Sequence, residues 1–238
     1  MSLTKAHKTS LPDCIDLWRD EEIDLGVRTL QLTIPEDPDA LLDRPEVLEE
    51  NRQTDYVPYW AYLWPAARSF ANIMASLKDP HSKELLEIGC GCGLVGLAAM
   101  TNGIEVTFSD NRLEALQLSE YNARQNNLQN YELLQLDWFH PPKEKRWDWI
   151  IASDVLYEAR FHEPLLETIT QLIKPGGQIW IGDPGRALVL EFVRMAQQRG
   201  WEPLVYDADL QLRSFPSIGH FQLLVFKIEA DQDNINDS

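Results

Sequence analysis

The chain has 238 residues, 44% of them hydrophobic and 25% charged, enough for one substantial core in a decorated single domain. No apolar run approaches the ~18 residues needed to span a bilayer, and residues 1–20 lack the apolar centre of a secretory signal, so no membrane is expected. Acidic residues outnumber basic ones 38 to 21, for a net charge of −17, and no basic stripe is present to neutralise phosphates, which argues against nucleic acid and suits a basic partner.

Residues 1–55 are rich in Asp, Glu and Pro and hold one strand-like stretch at 27–34; they are expected to form an N-terminal extension packed on a main domain over 56–230. A helix is predicted over 60–77, with Pro65 in its first turn or at a kink. A short apolar strand at 85–88 is followed by a helix at 94–100, a strand at 104–109 and a helix at 113–125. Strands at 131–136 and 149–153 come next, then a helix over 163–173 closed by a Lys174-Pro175-Gly176-Gly177 turn. A fifth strand at 178–182, a helix at 188–199 ended by Gly200, and strands at 201–206 and 221–228 complete the domain; 231–238 is a polar tail. The alternation implies an α/β fold: a Rossmann-like, doubly wound sheet of seven strands, mostly parallel, with helices on both faces. The last two strands lack a helix between them and are expected to form an antiparallel hairpin at one edge.

The segment E-L-L-E-I-G-C-G-C-G-L-V-G at 84–96 runs from an apolar strand through clustered glycines into a helix. Glycine supplies the unusual backbone angles and the close approach to a ligand, and the helix N-terminus offers free N–H groups. Asp110 ends the second strand of the main domain, where a carboxylate can accept hydrogen bonds from ribose hydroxyls. Gly91, Gly93 and Gly96 also satisfy G-x-G-x-x-G, which admits a dinucleotide. Glu87 tips the balance away from it, leaving a dinucleotide oxidoreductase as the outsider: a carboxylate there sits badly beside a pyrophosphate and suits the cationic amino group of S-adenosylmethionine. Cys90 and Cys92 lack partners at zinc spacing and are read as small side chains packed under the loop, with no metal expected. Together with Cys14 they make three cysteines, too few for a disulfide framework, which suits a reducing cytoplasm.

E-I-G-C-G-C-G at 87–93 resembles the first motif of class I S-adenosylmethionine-dependent methyltransferases. P-Y-W-A-Y-L-W-P at 58–65, Asp137-Trp138, and S-D-V-L-Y-E at 153–158 resemble methyltransferase family 16, a protein-lysine methyltransferase group. G-D-P-G-R at 182–186 is similar to the branch acting on the electron-transfer flavoprotein β-subunit, although Leu63-Trp64-Pro65-Ala66-Ala67 stands where that branch tends to carry glycines. The resemblance implies that Trp64 lines the cofactor site and that Glu87, Gly89, Gly91 and Gly93 hold the methionine end. It further places Asp110 on the ribose, Asp137 and Trp138 beside the adenine, Ser153 at a ligand-presenting strand end, and Asp154 with Tyr157 as the catalytic pair at the methyl-transfer site.

Each of these residues also has a structural use. Trp64 would serve as core, Asp137 would cap the turn before Pro141, Asp154 would N-cap the helix in the 160s, Tyr157 would bond within its own helix, and Asp183 with Arg186 would form an ion pair inside a turn. The implied activity is N-methylation of an accessible protein lysine. A small-molecule N- or O-methyltransferase, with the N-terminal extension as a lid over an amine, is the second expectation. A non-catalytic scaffold is disfavoured by the complete set of motifs.

Overall fold

A computed structural model describes residues 10–230 apart from 79, 81, 83 and 144, so the tail at 231–238 lies outside the described residues. The chain opens with two antiparallel strands, β1 (Trp18–Asp24) and β2 (Thr29–Pro35), paired from Trp18 with Pro35 to Asp24 with Thr29. A 3-10 turn over Pro38–Asp43 leads into α1 (Pro45–Thr54), which takes Pro45 at its first position and buries none of its residues.

The main domain follows as α2 (Pro65–Ser76), β3 (Glu84–Ile88), α3 (Leu94–Met100), β4 (Glu105–Asp110), α4 (Leu113–Gln125), β5 (Tyr131–Gln135) and β6 (Trp147–Ser153). It continues as α5 (His162–Leu172), β7 (Ile173–Asp183), α6 (Val189–Gln197), β8 (Pro203–Tyr206), β9 (Leu212–Arg213) and β10 (Gln222–Lys227). The helix expected from residue 60 begins only at Pro65; Tyr59–Ala61 is a separate 3-10 turn and Trp64 is extended. Proline's fixed φ suits the first helical position, whereas the residue before it is driven out of the helical region.

The sheet order is β5-β4-β3-β6-β7-β10-β8-β9. β3 to β7 are parallel, and β10 lies between β7 and β8, antiparallel to both. This is the expected Rossmann-like arrangement, with an eighth, two-residue strand (β9) on the edge beyond the expected seven. The Lys174–Gly177 segment does not close off a helix as a free turn. It lies inside β7, whose first residue pairs with Trp147 across an irregularity in the β6 ladder.

Alternate side chains serve the two faces, as the strand period of two requires. Leu223 and Val225 of β10 join the cluster under α2, α3, α4 and the N-terminal hairpin, while Leu224 and Phe226 join the cluster under α5 and α6. The outer edge of β2 is met by a helix instead of a strand. Asn122 of α4 accepts from Thr33 N–H at 2.8 Å and donates to its carbonyl at 3.1 Å. Asn126, one turn on, does the same for Gln31 at 2.9 and 2.6 Å. The spacing i, i+4 on the helix matches i, i+2 on the strand, so two side-chain amides take the place of a missing ladder.

Asn122 also donates to Cys92 O at 3.0 Å and is fully buried. Asn122→Ala strands three backbone groups and is expected to cost about 2–4 kcal/mol, whereas Gln53→Ala on exposed α1 stays within about 0.5. Urea denaturation of the two variants checks this.

Candidate active site

Strand order reverses at β3: the chain moves outward through β4 and β5, then returns to place β6 on the other side. Open α/β sheets bind ligands in the crevice at such a point, beyond the carboxyl ends of the strands. A cavity of about 650 Å³ lies there. Its lining includes Trp64, Glu87, Gly89, Gly91 and Asp110 from the first half of the expected site, and Asp137, Trp138, Ser153, Asp154 and Tyr157 from the second. Gly93 is not part of the lining. It stands at the N-cap of α3 with φ +82°, where a Cβ would come within 2.8 Å of Ser119. There it turns the chain into α3.

Glu87 is 2% exposed, and among the described residues its carboxylate has one hydrogen-bond partner, Gly96 N–H at 3.0 Å. Burial raises its carboxyl to about 8, with the Gly96 N–H pulling the other way and Asp110 adding to the rise. A side chain at Gly96 would collide with that carboxylate and approach the Phe108 ring to 2.5 Å, so helix and strand meet only through glycine. Asp110 closes the other side of the loop, accepting from Arg112 N–H at 3.0 Å and Gly91 N–H at 3.2 Å. Burial lifts its carboxyl to about 6 against those N–H groups. Cys90 and Cys92 are buried beneath the loop, and burial raises both thiols.

An aromatic wall runs along the cavity. Ring centroids step from Tyr62 to Trp64 (5.4 Å), Trp64 to Tyr59 (5.8 Å) and Tyr59 to Tyr157 (4.7 Å). They continue from Tyr157 to Phe161 (5.8 Å) and Phe161 to Trp138 (5.9 Å). Trp64 anchors its indole by donating to Tyr59 O at 2.9 Å. Tyr157 sits in the loop after β6, not within a helix, and burial raises its phenol well above the ordinary range. Asp137 is half exposed and does cap its own turn, accepting from Phe139 N–H at 2.9 Å.

Asp154 does not cap the helix in the 160s; Phe161 stands at the N-cap of α5, with no side-chain cap. Its carboxylate instead reaches the first turn of α2, where Ala67 N–H donates at 3.1 Å, and takes the Ser153 hydroxyl at 3.2 Å and Arg186 at 2.9 Å. Burial raises its carboxyl, and Arg186 opposes the rise. Asp183 and Arg186 do pair within their turn at 3.1 Å.

Several lining residues carry no local signal in the sequence. Glu50 and Thr54 come from α1, Arg112 from the entry to α4, and Glu158 and Arg160 from the loop before α5. Arg112 grips Glu50 through two bonds at 2.7 and 3.3 Å and stacks 4.2 Å over the Tyr56 ring, which brings the N-terminal helix to the cavity. Pro45 and Glu46 mark a helix start, yet nothing nearby in sequence says where that helix docks.

A profile of the family described as lysine methyltransferase matches residues 56–189. Electron transfer flavoprotein beta subunit lysine methyltransferase of Danio rerio is 32% identical over 137 residues, 55% of this chain and 51% of that one. Histone-arginine methyltransferase METTL23 of Rattus norvegicus is 32% identical over 146 residues, 57% of this chain and 65% of that one. The chain thus spans about half to two thirds of the length of these curated relatives. Among solved structures, an O-methyltransferase family protein from Burkholderia thailandensis superposes with a TM-score of 0.57 at 13% identity, covering 70% of this chain and 58% of that one. The N-methyltransferase NodS of Bradyrhizobium japonicum WM9, in complex with S-adenosyl-l-homocysteine, gives 0.53 at 16% identity, covering 81% and 92%. These two establish likeness of fold.

Glu87 and Asp110 bind protons more tightly in the folded chain than at their ordinary values of 4.5 and 3.8. Their contribution to stability is therefore whole below those values and is lost as pH rises through about 6 and then 8. Glu87→Gln keeps an oxygen for Gly96 N–H and removes the titration. It is expected to melt about 5 °C or more above the parent at pH 9, with the gap closing toward pH 5, as calorimetric scans across pH will show.

Proposed function

The chain belongs to the lysine methyltransferase family, and from that premise we propose that it is an S-adenosylmethionine-dependent N-methyltransferase acting on lysine side chains of a protein. The observation that carries this reading is the pair of buried carboxyls, Glu87 and Asp110, facing one cavity across a glycine loop. A carboxyl raised to about 8 by burial, with a single N–H partner, is matched by a ligand cation. A pyrophosphate offers none. The cavity volume, the loop and the aromatic wall fit a nucleoside with a charged amino-acid tail.

In this reading Glu87 takes the amino group of the methionine end, with Gly89 and Gly91 letting the backbone lie against it. Asp110 takes the ribose hydroxyls, and Trp138 and Asp137 border the adenine. Trp64 lines the cofactor site, and Tyr59 and Tyr157 border the acceptor. S-adenosylmethionine, held by Glu87, Gly89, Gly91 and Asp110, would supply a sulfonium-activated methyl group for the acceptor nitrogen. The chain's own work is positioning and exclusion of water. A lysine must arrive neutral, from an ordinary pKa of about 10.4. The apolar aromatic wall disfavours the ammonium, and Tyr157, held protonated, orients the nitrogen lone pair without acting as a base. Asp154 orients the amine and stabilises the charge that develops on nitrogen.

A protein acceptor is supported by the relatives, which are named for lysine, histone-arginine and protein-histidine methylation. The net charge of −17 favours a basic partner over nucleic acid. The second reading, a small-molecule amine as acceptor, draws support from α1, which walls the cavity on one side. No helix among the described residues is long and apolar enough to cross a membrane, and the unpaired Cys14, Cys90 and Cys92 suit a cytoplasmic location. We take residues 1–55 as an extension of the methyltransferase domain at 56–230, tied to it through Asn122, Asn126 and Arg112.

The deciding experiment incubates the protein with tritiated S-adenosylmethionine and a cell extract, with and without protease treatment. Label in a discrete, protease-sensitive band is expected; label confined to small molecules overturns the protein-acceptor reading. Donor binding should release a proton below pH 8, because the ligand's amino group drives Glu87 to its ionised form. Affinity should accordingly rise between about pH 6 and 8 and level above, as titration calorimetry in two buffers of different ionisation enthalpy would show.

A further inference from the structure

Asp154 holds a backbone conformation uncommon for any residue but glycine, with φ +62°, and is only 5% exposed. Of the three groups on its carboxylate, Ala67 N–H and the Ser153 hydroxyl are neutral and share Oδ2. Among the described residues Arg186 alone is charged and alone binds Oδ1. It comes from the turn after β7, on the next strand of the sheet.

That arginine is itself held. Asp183, the fully buried last residue of β7, accepts from the N–H groups of Gly185 and Arg186 at 2.7 Å each, and its other oxygen takes the guanidinium at 3.1 Å. The guanidinium also lies 5.9 Å from the Trp64 ring. Arg186 is not part of the cavity lining, whereas Asp154 is. Arg186 therefore reaches the cavity through Asp154, by a direct hydrogen bond, and through the Trp64 ring, at the longer distance.

We propose that Arg186, seated by Asp183, is a positioning residue for methyl transfer: it holds the Asp154 carboxylate in its left-handed pose at the cavity and balances its charge. The proposal rests on reading that part of the cavity as the acceptor site. Two consequences follow from the geometry. Without Arg186, two buried carboxylates would face each other with no cation between them, and the strained loop at Asp154 would lose the one charged bond on Oδ1. An unbalanced carboxylate would also hold an incoming lysine as its ammonium, which has no lone pair to give. Paired with Arg186, Asp154 still accepts a hydrogen bond but attracts a proton less strongly.

The test follows tritium transfer from S-adenosylmethionine to protein in a cell extract, using the full chain and its variants, with donor affinity and melting temperature recorded for each. Arg186→Gln should bind donor as the parent does yet transfer about tenfold or more slowly, the order expected from a misplaced reacting group. Arg186→Lys, which keeps a cation against Asp154, should recover a substantial part of the rate. Adding Arg186→Gln to Asp154→Asn should remove little beyond Asp154→Asn alone, since both act at one group. A parental rate in Arg186→Gln, or losses that multiply in the double variant, overturns the proposal. If Arg186→Gln fails to fold, Asp183→Asn decides: slowed transfer at unchanged donor affinity supports the proposal, and parental transfer overturns it. Absence of labelled protein with the unaltered chain refutes the acceptor reading itself, and is visible before any variant is compared.

Discussion

A carboxyl group nearly stripped of water, Glu87 at the end of β3, sets the terms for everything around it. An ion in that place loses its hydration and recovers it only through fixed donors. Among the described residues one such donor reaches it, the N–H of Gly96. To deliver it, α3 must lie so close to β3 that residue 96 has no room for a Cβ, and Gly93 must turn left-handed to start the helix there. A single hydrogen bond leaves the carboxyl short of partners, and it keeps its proton to a pH well above the ordinary range. Such a site gives up stability near neutral pH, as is often found where folds carry function.

The same loop is tied to the far side of the molecule by one side chain. The amide of Asn122 reaches both Thr33 in the N-terminal hairpin and the carbonyl of Cys92 in the glycine turn. Hairpin, α4 and ligand loop thus share one buried polar group, and none of them can shift alone without leaving a backbone group unpaired. Arg112 repeats the theme at the mouth of the cavity: its backbone N–H holds Asp110 while its guanidinium holds Glu50 of α1. The residues before the family-matching segment therefore take part in the site's wall.

At the end of the cavity proposed for the acceptor, the physics changes. The aromatic chain from Tyr62 to Trp138 presents ring faces and edges that tolerate a cation but do not solvate it as water does. Asp154 brings a buried charge to this wall, and that charge is met by an arginine outside the cavity lining. The carboxyls of the cavity are divided by environment: Glu87 and Asp110 are met by backbone N–H groups, and Asp154 by a guanidinium.

The sequence by itself determined the alternation of strands and helices, the glycine turn, and the placing of Glu87, Asp110, Ser153 and Asp183 at strand ends. Each of these is a local property, written in apolar periodicity and in residues that tolerate few backbone conformations. Even local reading failed where pairing overrode propensity. The charged run Arg19-Asp20-Glu21-Glu22 looks like a solvated loop, yet forms β1 because β2 supplies its ladder. Lys174–Gly177 looks like a free turn, yet enters β7 because Ile173 pairs with Trp147. What only the tertiary structure decided is which distant groups meet: Asn122 with Thr33, Glu50 with Arg112, and Asp154 with Arg186, 32 residues away. Backbone preference acts over a few residues and leaves its mark in composition and spacing. A hydrogen bond between elements depends on where the sheet's strand order and helix packing carry the chain, and that is settled only when the whole core closes.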